Sequence, residues 1–545
     1  MEFMKDYGSA VNIWMLTREY GDLAGAGGVK DVADQLSRAL AQGGERKVSV
    51  VLPLYGFIDP KARGFSLLHD PHTEESLLEY EVDMNYADEE RREKLRVWHA
   101  TVAEVNIYLL DSTRFREKKD VYTYTAVEEA EDVTKRQGES HIDYFAMNLL
   151  LQKGTIQLIL LLREFPDVIH CHDGHTAVLP AIIAETLWLK SYFRSTGCLV
   201  TMHNAGIGYH QEVFDLPYAR AMTGLPGNVI DKSILRSAFD PFVAAGHYAA
   251  VNTVSENYAR ELQDGMEDEQ TGMLGHRLLD MGVILEGITN GVDMHSYDPR
   301  RGEEIGLAAS FDIADDRLME GKLRCREALV RSLIAEEPVE GIAQYGFLEP
   351  EHHGPLFTFI GRLSEQKGID ILHGAVLRML EMPADDVDFQ IVILGGGTPR
   401  LEKGMISLAG AEKSAGRVCF LAGYNPLLAN KVYSAGDFFL VPSRYEPCGL
   451  TDFIAQLFGN IPIVHYVGGL VKVLDNRTGF TYIKNDPAFL AEAMGRAMQI
   501  YENKKLVRSM QKEAVRVIQE KFAWEKVKNQ YLQLYDKIIT DKITE

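Results

Sequence analysis

The amino-acid sequence predicts an α/β protein made of two doubly wound domains in tandem. Three observations carry this: a length of 545 residues, a repeated alternation of short apolar runs with helix-like segments, and polar residues gathered directly after those runs. Hydrophobic cores stop growing near ~250–300 residues, so a chain of this length divides. Apolar runs without polar alternation mark strands buried on both faces, as in parallel sheets covered by helices.

In chain order, the first domain offers VNIWMLT (11–17), VSVVLP (48–53), VNIYLLD (105–111), DVIHCHD (167–173) and CLVTMH (198–203). The second offers LFTFIG (356–361), FQIVILGGG (389–397), RVCFLAG (417–423), DFFLVPS (437–443) and IPIVHY (461–466). Between the sets, NGVDMHSYDPRRGEEIGLAAS (290–310) replaces that rhythm with proline, glycine and charge, which places the domain boundary there. The domains are therefore set at 1–289 and 290–523, followed by a terminal helix over 524–545. A stretch from about 61 to 140, dense in Glu and Asp, interrupts the first domain and is expected to be an insertion or lid.

Bulk properties exclude several classes. A formal net charge of -22 repels phosphate backbones and anionic membrane surfaces, so neither nucleic acid nor membrane is an expected partner. The five cysteines are scattered without paired spacing, which suggests no disulfide framework or zinc ribbon and favours a cytoplasmic location. The N-terminus MEFMKDYGSAVNIWML lacks a basic region and a cleavage site and reads as leading into a first strand. The longest apolar stretch, MNLLLQKGTIQLILLLREF, is broken by Gln152, Lys153 and Gln157, so no membrane span is expected.

Open parallel sheets bind ligands beyond the carboxyl ends of their strands, and the chemistry-bearing residues lie there. After the first strand, Gly25, Gly27 and Gly28 open an amphipathic helix, either as a phosphate-binding turn with free amides or as an ordinary tight turn. HCHDGH (170–175) ends another strand with His170, His172, Asp173 and His175, which could bind a polar substrate, hold a metal, or simply satisfy one another. His203 and Asn204 repeat that placement after the next strand. In the second domain, Arg362 and Lys367 follow a strand and suit a departing diphosphate, or form a solvated basic pair. The acidic run DVD (386–388) precedes its strand, the wrong end for a metal-dependent sugar-nucleotide site, and is read as a solvated loop. Glu446, in SRYEPCGLTDF, stands alone where a strand empties into a loop and then a helix.

Together, GGVKDV, VIHCHDGHTAVLPA, TMHN, AAGHYAAVNTVSENYARE, ITNGVD, GRLSEQKGID, VPSRYEPCGLTDF, IPIVHYVGGL and FAWEKVKNQYLQLY resemble the bacterial glycogen synthases and plant starch synthases over nearly the whole chain. The resemblance implies the GT-B fold, two Rossmann-like domains facing across a cleft, with the terminal helix returning to the first. It implies glucose transfer from ADP-glucose or UDP-glucose to the 4-hydroxyl of an α-1,4-glucan with retention, and no metal or other cofactor. Carried over, Arg362 and Lys367 become the diphosphate clamp and Tyr424 the platform for the base. Glu446 contacts the transferred sugar, and Cys448, Gly449, Leu450 and Thr451 bind the phosphates. Gly27, Gly28, Asp31 and Asn290 line the donor side, while Asp173 and His203 join Glu446 as catalytic residues.

Three positions depart from the family pattern. Gly25 stands where the family has a phosphate-binding lysine, with Lys30 the candidate substitute; Gly174 replaces a tryptophan; and Ile454 replaces the second glutamate of broader GT-B enzymes, a change the glycogen synthases share. Competing expectations are another GT-B hexosyltransferase with a small acceptor and a catalytically weakened glucan-binding protein. A homo-oligomer is left open.

Overall fold

The computed structural model describes residues 10–71, 73, 76–86, 89–383 and 387–544; residues 1–9 and Asp386 of the DVD run lie outside the described residues. It divides into two compact units, residues up to Gly291 together with Trp524 onward, and Val292–Ala523.

The first unit is built on one large sheet with the order 286–287, 250–253, 197–202, 168–172, 11–16, 46–53, 105–111, 92–102, 66–67, and a further strand, Glu79–Asp83, on Arg92–Val102. From 286–287 to 105–111 the neighbours are parallel. The remainder is antiparallel. The acidic segment 61–140, expected to be an insertion or lid, contributes the sheet's antiparallel edge strands. Its charge comes from pleating: in Glu79–Asp83, Tyr80 and Val82 are buried while Glu79, Glu81 and Asp83 face solvent. Lys94 and Arg92 of the neighbouring strand pair with Glu79 and Asp83, respectively.

The apolar stretch 147–165 supplies most of the helix Tyr144–Leu161, whose residues are buried all round. Its polar groups bond inside the unit: Gln152 donates to the carbonyls of Asn148 and His175, and Lys153 to those of Asp83 and Met222. No helix among the described residues is long and apolar enough to cross a membrane. The terminal helix Trp524–Thr544 belongs to this unit. Trp524 Nε1 donates to Gln35 Oε1 at 2.7 Å, and Tyr535 OH lies 2.8 Å from His170 Nδ1.

The second unit's sheet has the order 343–346, 418–422, 390–395, 356–360, 438–441, 461–465, 480–482. All neighbours are parallel except the edge strand Ala343–Gly346. Each face carries its own apolar layer, one around Phe357, Phe389 and Phe438, the other around Phe439, Tyr433 and Phe458. Burial on both faces is what made these strands legible as unbroken apolar runs.

In the first sheet the chain starts in the middle, winds outward to one side, and then returns to wind the other way; the second sheet repeats this from Leu356–Ile360 onward, after the edge strand Ala343–Gly346. The direction reverses between Val11–Leu16 and Val168–His172 in the first unit, and between Leu356–Ile360 and Phe438–Val441 in the second. At such a switch point the connections from adjacent strands lead to opposite faces of the sheet, which marks the place where open α/β sheets bind ligand.

Candidate active site

In the second unit, the loops beyond Leu356–Ile360 and Phe438–Val441 meet. Gly368 makes this contact feasible: its φ is +64°, and a Cβ there would stand 2.0 Å from the carbonyl oxygen of Pro442. Across the meeting point Lys367 Nζ lies 2.6 Å from Glu446 Oε2, and Ser443 Oγ donates to the same oxygen at 2.8 Å. Glu446 is 8% exposed. Burial pushes its carboxyl up, but Lys367, Ser443 and Lys472 more than offset this and hold it below the ordinary carboxylate value. Arg444, the nearest alternative partner in sequence, makes a two-pronged pair with Asp370 instead. Arg362 is exposed at the start of the same loop as Lys367.

Beyond Glu446 the chain turns through Cys448, which is buried, and Gly449 into the short helix Thr451–Leu457. Gly449 has φ +76° and Leu450 is right-handed helical, a left-then-right sequence that points successive N–H groups into one concavity. Among the described residues, the N–H groups of Gly449, Leu450 and Thr451 meet no protein acceptor. Behind this turn lies the 3-10 turn Gly468–Lys472. Gly469 N–H donates to the Glu446 carbonyl at 2.9 Å, and a Cβ on Gly468 would stand 2.1 Å from that same oxygen. Tyr424, after the strand Val418–Ala422, is 65% exposed. Ile454 sits within the short helix.

In the first unit, two amides of the glycine loop are already taken by a side chain of the same loop region. The N–H groups of Ala26 and Gly27 both donate to Glu19 Oε2, at 2.8 and 2.9 Å, and Tyr122 OH donates to Oε1 at 2.5 Å. The chain's own carboxylate fills that concavity. Gly28 caps the helix Val29–Ala41 with φ -76°, a conformation open to any residue. The stem of Lys30 folds over Gly25, its Cδ 2.1 Å from where a Cβ would stand, and its ammonium sits 2.6 Å from Asp31 Oδ1. Burial raises the Asp31 carboxyl, and Lys30 opposes that rise.

The histidine loops form a connected stack. The rings of His170 and His172 lie 4.3 Å apart, and those of His172 and His203 lie 5.1 Å apart. His172 Nδ1 and His203 Nε2 share a hydrogen bond of 2.8 Å, while His170 bridges Tyr535 and Thr201. Among the described residues no group of three or more His, Cys, Asp or Glu side chains is arranged to hold a metal. Asp173 takes a left-handed backbone, φ +59°, and its Oδ1 accepts from His203 N–H at 2.7 Å, tying two strand ends together. Asn290 is buried at the end of this unit, its Oδ1 without a partner among the described residues.

Burial pushes the Asp173 carboxyl up to about 7, against the backbone N–H groups that favour its anion. Because this folded-state value lies above the ordinary carboxylate value, the folded chain holds a proton that the unfolded chain has lost. The associated stability is present at low pH and disappears as pH rises through about 7. The fall in melting temperature from about pH 5 to about pH 8 is therefore expected to be smaller in Asp173→Asn, which keeps the oxygen acceptor for His203. Equal slopes in parallel fluorimetric melts would remove Asp173 from this role.

Residues 12–277 match the family model for the starch synthase catalytic domain, and residues 354–499 match that for glycosyl transferases group 1. The glycogen synthase of Lactiplantibacillus plantarum is 29% identical, with 94% of this chain and 96% of that one covered. The glycogen synthase of Exiguobacterium sibiricum is 28% identical, with 96% and 98% covered. The catalytic domain of starch synthase IV from Arabidopsis thaliana, solved bound to ADP and acarbose, superposes with a TM-score of 0.77 at 25% identity, covering 98% of this chain and all of that one. The chain is similar to the glycogen and starch synthases over nearly its whole length. It is a glycosyltransferase of GT-B fold. Sucrose-phosphate synthase of Thermosynechococcus elongatus, with a TM-score of 0.54 at 17% identity, shares that fold.

In this glycosyltransferase, the sequence pattern marks the loops but not Glu19, Ser443 and Lys472. Glu19 and Ser443 each stand within a few residues of a strand's carboxyl end, a signal that could have found them. Lys472 lies deep in another segment, and only folding brings it to the turn at Gly449.

Proposed function

We propose that the chain extends an α-1,4-glucan by moving glucose from ADP-glucose to a non-reducing 4-hydroxyl with retention of configuration. The observation that carries this is the Lys367–Glu446 pair beside three consecutive open N–H groups at a sheet switch point. It supplies a cation and amides for a departing diphosphate and a carboxylate for the sugar left behind. The ADP in the starch synthase IV structure favours the adenine nucleotide.

In this reading, the bond between the anomeric carbon and the phosphate oxygen breaks, and its electron pair leaves with the diphosphate. The acceptor oxygen attacks from the same face and hands its proton to the departing phosphate. Arg362, Lys367 and the amides of Gly449, Leu450 and Thr451 stabilise the growing negative charge, with no metal assigned a part. Glu446 faces the anomeric carbon as it becomes cationic, the charge that carboxylates oppose in glycosyl transfer. Tyr424 offers its exposed face to the base.

Purified protein incubated with glycogen and radiolabelled ADP-glucose is expected to label the polymer, with UDP-glucose the poorer donor. NMR of the first product is expected to show an α linkage. A β linkage overturns retention, labelled small products point to a different hexosyltransferase, and glycogen binding without label points to a protein that has lost turnover.

A further inference from the structure

Lys472 lies on the far side of the turn from the open amides. Its side chain is 7% exposed, and its ammonium donates to two consecutive carbonyls, those of Cys448 and Gly449, the latter at 2.8 Å. Asp452 Oδ1, fully buried, stands 3.1 Å away, and the Phe453 ring centroid lies 4.3 Å from Nζ. A trans peptide is planar, so its C=O and N–H point in opposite directions. The Cys448 carbonyl shares its plane with the Gly449 N–H, and the Gly449 carbonyl with the Leu450 N–H. Holding both carbonyls against Lys472 therefore aims both N–H groups away from it, on the side where no protein acceptor meets them.

Space around the turn is arranged for this. A Cβ on Gly449 would stand 2.7 Å from Asp452 Oδ1 and 3.1 Å from Lys472 Nζ, so only glycine leaves room for the pair. A Cβ on Gly469 would meet the Cys448 carbonyl at 2.2 Å, so the segment bearing Lys472 also needs glycine to come this close.

We infer that Lys472 is a positioning residue for the nucleotide donor: by tying the carbonyls of Cys448 and Gly449 from behind, it presents the Gly449 and Leu450 N–H groups to the diphosphate. This rests on the donor site proposed above. Lys472 acts through the backbone and touches no phosphate.

Calorimetry with ADP and AMP on the full chain separates the alternatives. Lys472→Met is expected to weaken ADP binding about tenfold while AMP, lacking the second phosphate, changes much less, and to raise the KM for ADP-glucose more than it lowers kcat. Lys472→Gln, whose neutral amide still donates to carbonyls, is expected to stay within about threefold of the wild type. Melting curves confirm that both variants are folded. A Gln variant as weak as the Met variant means that the charge itself is needed and overturns the inference, as does a Met variant that binds ADP like the wild type. A wild type that binds no nucleoside diphosphate overturns the donor site and this inference together.

Discussion

Glu446→Gln is expected to lower the turnover of glucose onto glycogen by about a hundredfold to a thousandfold, with a much smaller change in the KM for the donor. The substitution keeps the shape of the side chain and the hydrogen bond from Ser443, and removes only the charge. Two consequences follow. The anomeric centre loses the negative group that faces it as positive charge develops, a term present mainly in the transition state. Lys367, bonded to the same oxygen as Ser443, also loses the charge attraction that fixes its position. Stability should change less than activity, because the Lys367 side chain keeps 19% exposure and so retains some water. The test is single-turnover transfer with radiolabelled donor beside a thermal melt. A Gln variant turning over within threefold of the wild type would sink the electrostatic role of Glu446, whatever its effect on melting.

The fold was legible because parallel strands buried on both faces leave unalternated apolar runs, and the observed strands begin and end close to those runs. Val105–Asp111 matches its run residue for residue, and Leu356–Ile360 stops one residue short. Short, polar strands were not visible: AVNT at 250–253 and AQYG at 343–346 owe their state to a neighbouring strand's hydrogen bonds. The antiparallel edge strands were not visible because alternation of Glu with Tyr and Val at 79–83 reads only as charge when composition alone is weighed. In the site, the switch-point rule located Lys367 and Glu446 separately, 79 residues apart, but not their pairing. Glu19 shows the opposite limit: whether a glycine loop's amides await a ligand or are already taken depends on where a nearby carboxylate turns, and that is a matter of backbone direction.

Gly174→Trp, which restores the residue the family carries, is expected to destabilise the chain by ~3 kcal/mol and to abolish transfer, because the space a side chain would need is gone. A Cβ at Gly174 would stand 2.3 Å from the carbonyl oxygen of His210, 2.8 Å from its carbonyl carbon and 3.3 Å from the Tyr209 oxygen. These are backbone atoms, and the His210 side chain anchors them: its Nδ1 lies 2.7 Å from Asp240 Oδ2 and its Nε2 2.8 Å from the Ala205 carbonyl. The loop occupies the space a side chain would need, so Gly174 is needed for room, and its backbone is not in the left-handed region. Displacing that loop would also disturb Asp173, whose carboxylate holds the His203 N–H one residue away from the substituted position. Gly174→Ala should therefore already cost stability. His210→Ala, which keeps the carbonyl but removes its anchors, should recover only part of the lost stability in either variant. Melting curves of the three variants, with labelled-glucan incorporation beside them, decide the matter: a Trp variant that melts with the wild type would mean that the 203–213 loop yields freely and that the glycine is not required for space.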